Sequence, residues 1–175
     1  MSGAEHQVRL FVGPKAALRV IVGVVPRAQV FALTPEASVY ALPLTDELHD
    51  GLHRSNGTGE WIEFGGADFA PLLTTTDAAC AARASLGSAL AWIEAVHMRG
   101  GVEEVAAVWI DGALSMKPNV LRGGENRQRS LRPVNMALRL LGVNAGTAGD
   151  EFAAFGLARY ESNEEIVARA VRVGV

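Results

Sequence analysis

The sequence predicts an α+β fold, in which a mainly antiparallel sheet is packed against helices in a single domain over residues 1–175. The chain is 49% hydrophobic and 20% charged, which is typical of one globular domain. Two strongly apolar runs, residues 89–98 and 102–110, flank Gly100-Gly101, and glycine pairs suit the tight turns of antiparallel hairpins. Strands and helices do not alternate regularly, which argues against a doubly wound parallel sheet.

The first part of the chain predicts a strand, a helix and a hairpin. Residues 8–12 are an apolar run typical of a strand. Pro14 suits the first turn of a helix in which apolar residues recur at helical spacing until Pro26 stops it. The apolar runs 29–33 and 38–42 are joined by a short connection that contains proline, which indicates a hairpin.

Two further helices and an edge strand are predicted before the central hairpin. Thr45 can cap a helix whose first turn carries Asp46 and Glu47, where the helix dipole favours negative charge. Residues 61–64 have the composition of a short edge strand. The alanine-rich residues 77–85 indicate a short helix.

The central hairpin has apolar residues on both faces, so we expect its strands to be covered on each side. Asp111-Gly112 makes a second tight turn into a third strand at residues 113–116. A turn at Gly100-Gly101 also fixes a register, in which Trp92 faces Trp109, Glu94 faces Ala107 and His97 faces Glu104.

The last part of the chain predicts a polar loop and three helices. The loop covers residues 118–131, and Pro133 begins the first helix after it. Asp150 can cap a short second helix, and Ser162 begins a capping box for a last helix that runs to about residue 172.

Composition restricts the compartment and the class of partner. Cys80 is the only cysteine, so no disulfide can form within the chain and a cytoplasmic location is expected. Its alanine-rich surroundings predict a small buried residue rather than a reactive thiolate. Residues 1–7 are polar and predict a flexible tail rather than a secretory signal, and no apolar run approaches the roughly 18 residues of a membrane helix. The net charge of −3 lacks the basic excess of nucleic-acid binders.

His49 and His53 are four residues apart on a predicted helix, the spacing at which a helix presents two ligands to zinc. Asp50 stands where metalloproteases carry glutamate, Gly51 weakens the helix, and a third ligand has to come from elsewhere. A solvated helix edge is therefore the favoured interpretation, and neither a metal nor a cofactor is predicted.

Glu94 lies inside an apolar strand, where a carboxylate needs a partner because burying a bare charge is costly. Two interpretations stay open, a structural ion pair with an arginine such as Arg139 or Arg83, or a binding or catalytic role. His97 and Glu104 form a predicted cross-strand pair, which suits either a general base or an ordinary surface pair.

Two charged segments form the predicted partner-binding surface: the turn of the central hairpin and the polar loop that follows the third strand. Neither carries a phosphate-binding motif or interleaved aromatic residues, so a protein partner fits better than a nucleotide or a nucleic acid. The candidate binding residues are Arg99, Glu103, Glu104, Arg122, Arg127 and Arg129.

Four runs in the C-terminal half carry a resemblance to a known class of protein. They are residues 91–95 (AWIEA), 106–112 (AAVWIDG), 134–143 (VNMALRLLGV) and 150–157 (DEFAAFGL). Together they resemble small bacterial immunity proteins of polymorphic toxin systems. The resemblance implies a cytosolic protein that binds and blocks a cognate toxin, and it implies no catalytic residues.

The sequence therefore predicts a non-enzymatic protein-binding protein of the immunity type. Two alternatives stay open. One is a small hydrolase or transferase that uses Glu94 and His97, although strand alternation puts these side chains on opposite faces of the sheet. The other is a structural or regulatory subunit of a homo-oligomer.

Overall fold

The structure is a computed structural model and describes residues 6–62 and 73–175. These residues form one domain with a seven-stranded antiparallel sheet and six α-helices, which confirms the predicted α+β fold. The strands are β1 (His6–Gly13), β2 (Val30–Ala32), β3 (Tyr40–Pro43), β4 (Ala89–Met98), β5 (Gly101–Ile110), β6 (Ala113–Leu121) and β7 (Val171–Val173). The helices are α1 (Lys15–Val24), α2 (Asp46–Asn56), α3 (Thr75–Ala84), α4 (Pro133–Leu140), α5 (Glu151–Phe155) and α6 (Asn163–Arg169).

The strands are ordered β6-β5-β4-β1-β3-β2-β7, and each neighbouring pair runs antiparallel. β1 lies in the middle, where Leu10 pairs with Pro43 of β3 on one side and with Ile93 of β4 on the other. β6 and β7 form the two edges. Among the helices of the described ranges, none has the length and apolar character needed to cross a membrane.

Helices cover both faces of the sheet, as the apolar pattern of the central hairpin predicts. On the N-terminal face, helices α1 to α3 bury Leu18 and Leu48 in one core with Trp92. On the C-terminal face, helices α4 to α6 bury Val134 in a second core with Ile93. Burying each such large apolar side chain stabilises the fold by roughly 1.5–3 kcal/mol.

The register of the central hairpin differs from the predicted one by two residues. The turn is formed by Arg99-Gly100, and Gly101 is already the first residue of β5. Gly101 is needed for a close approach instead, because a Cβ built on it would lie 3.1 Å from the backbone nitrogen of Gly124. A shift of two residues leaves every side chain on its predicted face. The observed pairs are Trp92 with Ala107, Glu94 with Val105 and His97 with Val102.

The caps that the sequence predicts at three helix starts are confirmed. The Thr45 hydroxyl accepts a hydrogen bond from the backbone of Leu48 at 3.2 Å. Asp150 caps α5 in the same way at 2.8 Å, and Ser162 caps α6 at 3.2 Å. The predicted capping box at Ser162 is only half formed, because the Glu165 carboxylate accepts from the backbone of Glu161 instead. Each cap satisfies a backbone donor at a helix start and is worth about 1 kcal/mol.

The largest differences from the predicted strand and helix ends lie at β1, at β6 and after α6. β1 begins at His6, so residues 6 and 7 belong to the sheet rather than to a flexible tail. β6 continues to Leu121, which shortens the predicted loop because the backbone goes on pairing with β5. Helix α6 ends at Arg169, and the chain then pairs with β2 as the unpredicted strand β7. At the predicted edge strand, Trp61 forms an isolated bridge with Thr74.

Two sequence predictions concern residues outside the described ranges. Residues 1–5 are the greater part of the predicted tail. Residues 63 and 64 are the second half of the predicted edge strand.

Gly156 ends helix α5 with φ of 97°, the left-handed region that favours glycine. A Cβ built there would lie 2.8 Å from the carbonyl oxygen of Leu33. We expect Gly156→Ala to lower the free energy of unfolding by about 2 kcal/mol, from the left-handed backbone and the contact together. Gly142→Ala is the matched control, since φ is 89° there and nothing lies within 4 Å. Gly142→Ala should lower the free energy of unfolding, measured in urea, by about 1 kcal/mol. If the two variants lost the same amount of stability, the contact with Leu33 would not contribute to the effect.

Candidate functional site

The two segments predicted to bind a partner lie against each other at one corner of the sheet. A Cβ on Gly123 would lie 2.8 Å from Oε1 of Glu103, and one on Gly101 would approach Gly124. The start of the loop that follows β6, at Gly123 and Gly124, is thus packed beside the hairpin turn. We name residues 98–101 and 122–129 the arginine corner.

Three of the four predicted arginines are exposed residues of the arginine corner. Arg99, Arg122 and Arg129 are exposed, and Arg129 lies 4.0 Å from Asp150. Arg127 is folded back against β6 instead. Its guanidinium donates hydrogen bonds to Oδ1 of Asn119 at 3.1 Å and to the carbonyl of Val120 at 3.1 Å, as well as to Glu125 at 2.9 Å. Arg127 therefore orders the loop and does not extend into solvent.

Glu125 completes this loop. Its carboxylate accepts a hydrogen bond from the backbone nitrogen of Arg122 at 2.9 Å and another from the guanidinium of Arg127. These two hydrogen bonds, the backbone one first, lower the pKa of Glu125. The carboxylate therefore keeps its charge at neutral pH and holds both ends of the turn together.

Glu103 and Glu104, predicted as surface residues, are buried with 5% and 2% of their area exposed. Glu104 uses both oxygens inside the protein: Oε2 accepts from the backbone nitrogen of Val134 at 3.2 Å, and Oε1 lies 3.5 Å from Nε2 of His97. The expectation that both carboxylates face a partner is therefore corrected. Glu104 accepts a hydrogen bond at the start of α4, and Glu103 packs against the loop that follows β6.

His97 belongs to a partly buried aromatic cluster that the sequence did not predict. His6 lies opposite it on β1, with ring centroids 5.0 Å apart, and Phe152 of α5 packs against both rings. Burial, assisted by the nearby His97, lowers the pKa of His6 from 6.5 to about 4. His97 and Glu104 are diagonal neighbours across β4 and β5, rather than directly opposite as predicted.

Glu94 is fully buried, and Nε of Arg9 donates to its Oε1 at 2.7 Å. The predicted structural ion pair is thus present, but it involves neither Arg139 nor Arg83. Arg139 pairs with Glu151 at 2.8 Å. The partner comes from β1 because Arg9 lies directly opposite Glu94 across the β1–β4 ladder.

Glu94 and His97 lie on opposite faces of β4, as strand alternation predicts. Glu94 is on the face of Trp92, which packs in the N-terminal core, and His97 is on the face of Ala95, which packs in the C-terminal core. Pairing with β5 continues without a bulge from Ala89 to Met98. The two groups therefore do not form a shared site.

His49 and His53 do not lie on a solvated helix edge. Their side chains are only 16% and 14% exposed, and both face the buried carboxylate of Asp77 on α3. Nδ1 of His49 lies 3.4 Å from Oδ2, and Nε2 of His53 lies 3.6 Å from Oδ1. The three side chains have the composition and proximity to hold a metal ion.

Cys80 lies one turn after Asp77 on α3 and is buried, as predicted. Burial raises the pKa of its thiol, and the nearby Arg83, 3.7 Å from the sulfur, opposes that shift only in part. The side chain thus behaves as a small packing residue rather than as a nucleophile.

Comparisons of the chain with protein-family models, with curated proteins and with solved structures found no match.

Proposed function

We propose that this chain is a non-enzymatic binding protein of the bacterial immunity type, which neutralises a toxin in the cytoplasm by binding it through the arginine corner. One observation carries the proposal. Two segments that are distant in sequence converge in the fold, and they expose Arg99, Arg122 and Arg129 while the neighbouring Glu103 and Glu104 point inward. The resemblance to immunity proteins supplies the class of partner.

The chemistry of this corner favours a partner with an acidic surface. Guanidinium groups bind carboxylates through paired hydrogen bonds, and arginine is enriched in protein interfaces. Clustered charge also accelerates association and discriminates against wrong partners. Because Arg127 and Glu125 fix the loop, little ordering remains to be done on binding, which favours affinity.

Two other functions were predicted as alternatives. A hydrolase or transferase built on Glu94 and His97 receives no support from their placement on opposite faces of β4. A structural or regulatory role in a homo-oligomer predicts a mass in solution above that of one chain, which light scattering measures.

The test of the proposal is a charge reversal at the arginine corner. Full-length tagged protein is used to capture partners from the native bacterium, and a captured protein is then tested for toxicity when expressed alone. We expect the triple variant Arg99→Glu, Arg122→Glu, Arg129→Glu to bind that toxin more than about 100-fold more weakly, since close charge pairs at interfaces are worth roughly 1.5–7 kcal/mol.

The matched control carries the same charge change at exposed arginines elsewhere, Arg19→Glu, Arg159→Glu and Arg172→Glu. It should bind the toxin as the wild-type protein does and should still protect cells. A captured protein that is not toxic would contradict the immunity function. If both triple variants weakened binding of the toxin equally, the arginine corner would not be the binding surface.

A further inference from the structure

We infer that His49, His53 and Asp77 form a binding site for one divalent transition-metal ion, with Zn²⁺ as the preferred ion. This site lies on the N-terminal face of the sheet between α2 and α3. The inference is independent of the proposed binding function, because it rests on different residues. The sequence supplied two of the ligands, and the fold supplies the third.

The helices place the three ligand groups at the separations that a small metal ion requires. His49 and His53 are one turn apart on α2, with ring centroids 4.0 Å apart. Asp77 is in the first turn of α3 and is fully buried. All three ligand atoms lie within 4.8 Å of one another. Nε2 of His53 lies 3.6 Å from Oδ1 of Asp77, and Nδ1 of His49 lies 3.4 Å from Oδ2 of the same carboxylate. Ligands about 2.0–2.1 Å from a tetrahedral zinc stand about 3.3 Å apart.

Two of these atoms lack any other partner, which points to a ligand between them. Nδ1 of His49 and Oδ1 of Asp77 are buried without a hydrogen bond. A buried polar atom left in this way is costly, and a cation between the two would satisfy both. The other carboxylate oxygen, Oδ2, accepts from the backbone nitrogen of Thr74 at 2.9 Å, which fixes the direction of Oδ1.

The ligand set selects the type of ion. Two imidazole nitrogens and one carboxylate oxygen suit Zn²⁺ and its neighbours better than Ca²⁺ or Mg²⁺, which prefer oxygen ligands only. Three protein ligands leave a fourth position open, as in catalytic rather than structural zinc sites. Trp61 stacks on His49 with centroids 5.5 Å apart and forms one wall of the site.

A purely structural role for the cluster is the alternative. The Thr74 hydroxyl lies 3.0 Å from Nε2 of His53, so the histidines and Asp77 could serve only to join α2 to α3. A bound ion would replace that hydroxyl as the partner of His53. The two roles differ in one measurable respect, since only the first gives saturable binding of metal.

The experiment titrates full-length protein, purified without a histidine tag and stripped with chelator, with Zn²⁺ by calorimetry and with Co²⁺ by absorption. Wild-type protein should bind one equivalent and give the ligand-field bands of Co²⁺ in a low-symmetry nitrogen and oxygen site. The variant His49→Gln, His53→Gln should bind more than about 100-fold more weakly, because losing an outer-shell partner alone costs about 10–100-fold.

The matched control is His6→Gln, His97→Gln, which removes the other histidine pair near a buried carboxylate, Glu104. It should bind Zn²⁺ as the wild-type protein does. If the first variant does not fold, Asp77→Asn replaces it, since the amide oxygen can still accept from Thr74. Absence of stoichiometric binding by the wild-type protein, or unchanged affinity in the variants at His49, His53 or Asp77, would overturn the inference.

Discussion

Replacing Arg9 by methionine is expected to lower the free energy of unfolding by about 3 kcal/mol. Methionine keeps an unbranched apolar stem but removes the guanidinium that donates to Glu94 at 2.7 Å. Glu94 is fully buried, so its carboxylate would lose its charged partner while the cost of its burial remains. The estimate is at the lower end of the range for buried pairs because the Arg9 side chain is 26% exposed. Urea unfolding at neutral pH measures the loss.

A double variant shows whether the loss comes from the charge or from packing. Arg9→Met combined with Glu94→Leu replaces the pair by apolar groups, which is often neutral, so most of the stability should return. Arg169→Met is the control for an exposed pair, with Glu165 four residues before it on α6. It should cost less than about 0.5 kcal/mol. A double variant as unstable as Arg9→Met alone would contradict the electrostatic explanation.

Local patterns in the sequence correctly predicted which way strand side chains face and where several helices begin. Alternation at residues 89–98 put Glu94 and His97 on opposite faces, and helix caps such as Thr45 marked where helices begin. These features depend on neighbours within a few residues. The predicted faces of the strands stay correct although the predicted register of the central hairpin differs from the observed one by two residues, because side-chain direction in a strand repeats every two residues.

Contacts between distant segments could not be predicted in the same way. Arg9 is the partner of Glu94 only because β1 inserts beside β4, a long-range pairing that no local pattern encodes. Asp77 likewise reaches His49 and His53 only through the packing of α3 on α2. The position of Asp77 at the start of α3 had one local signal, since it is the acidic residue of a capping box in the first turn of that helix.

The burial of Glu103 and Glu104 shows a further limit of reading charge from sequence. Both follow a tight turn in a run of charged residues, a context that usually faces solvent. The loop after β6 and the start of α4 cover them instead, and Glu104 accepts from the backbone of Val134 there. The two predicted segments still meet at the surface, but Glu103 and Glu104 do not contribute to its exposed charge.

Lowering the pH should lower the free energy of unfolding because of His6, which lies on the C-terminal face of the sheet. Burial lowers the pKa of His6 from 6.5 to about 4, so between these values the unfolded chain binds a proton that the folded chain does not. Stability from this residue is therefore complete above about pH 6.5 and is lost as the pH falls towards 4. The expected loss is about 2 kcal/mol at pH 5 and about 3 kcal/mol below pH 4.

The variant His6→Gln separates this effect from the titration of carboxylates. Glutamine has no proton to gain, so between pH 7 and pH 5 the wild-type protein should lose about 2 kcal/mol more than the variant in urea unfolding. Groups such as Glu151, whose pKa is lowered by its hydrogen bond from Arg139, contribute equally to both proteins and cancel in the difference. NMR titration of the His6 ring should show no protonation at pH 6. A midpoint near 6.5 would mean that the ring is solvated, and the low-pH instability would then have to originate elsewhere.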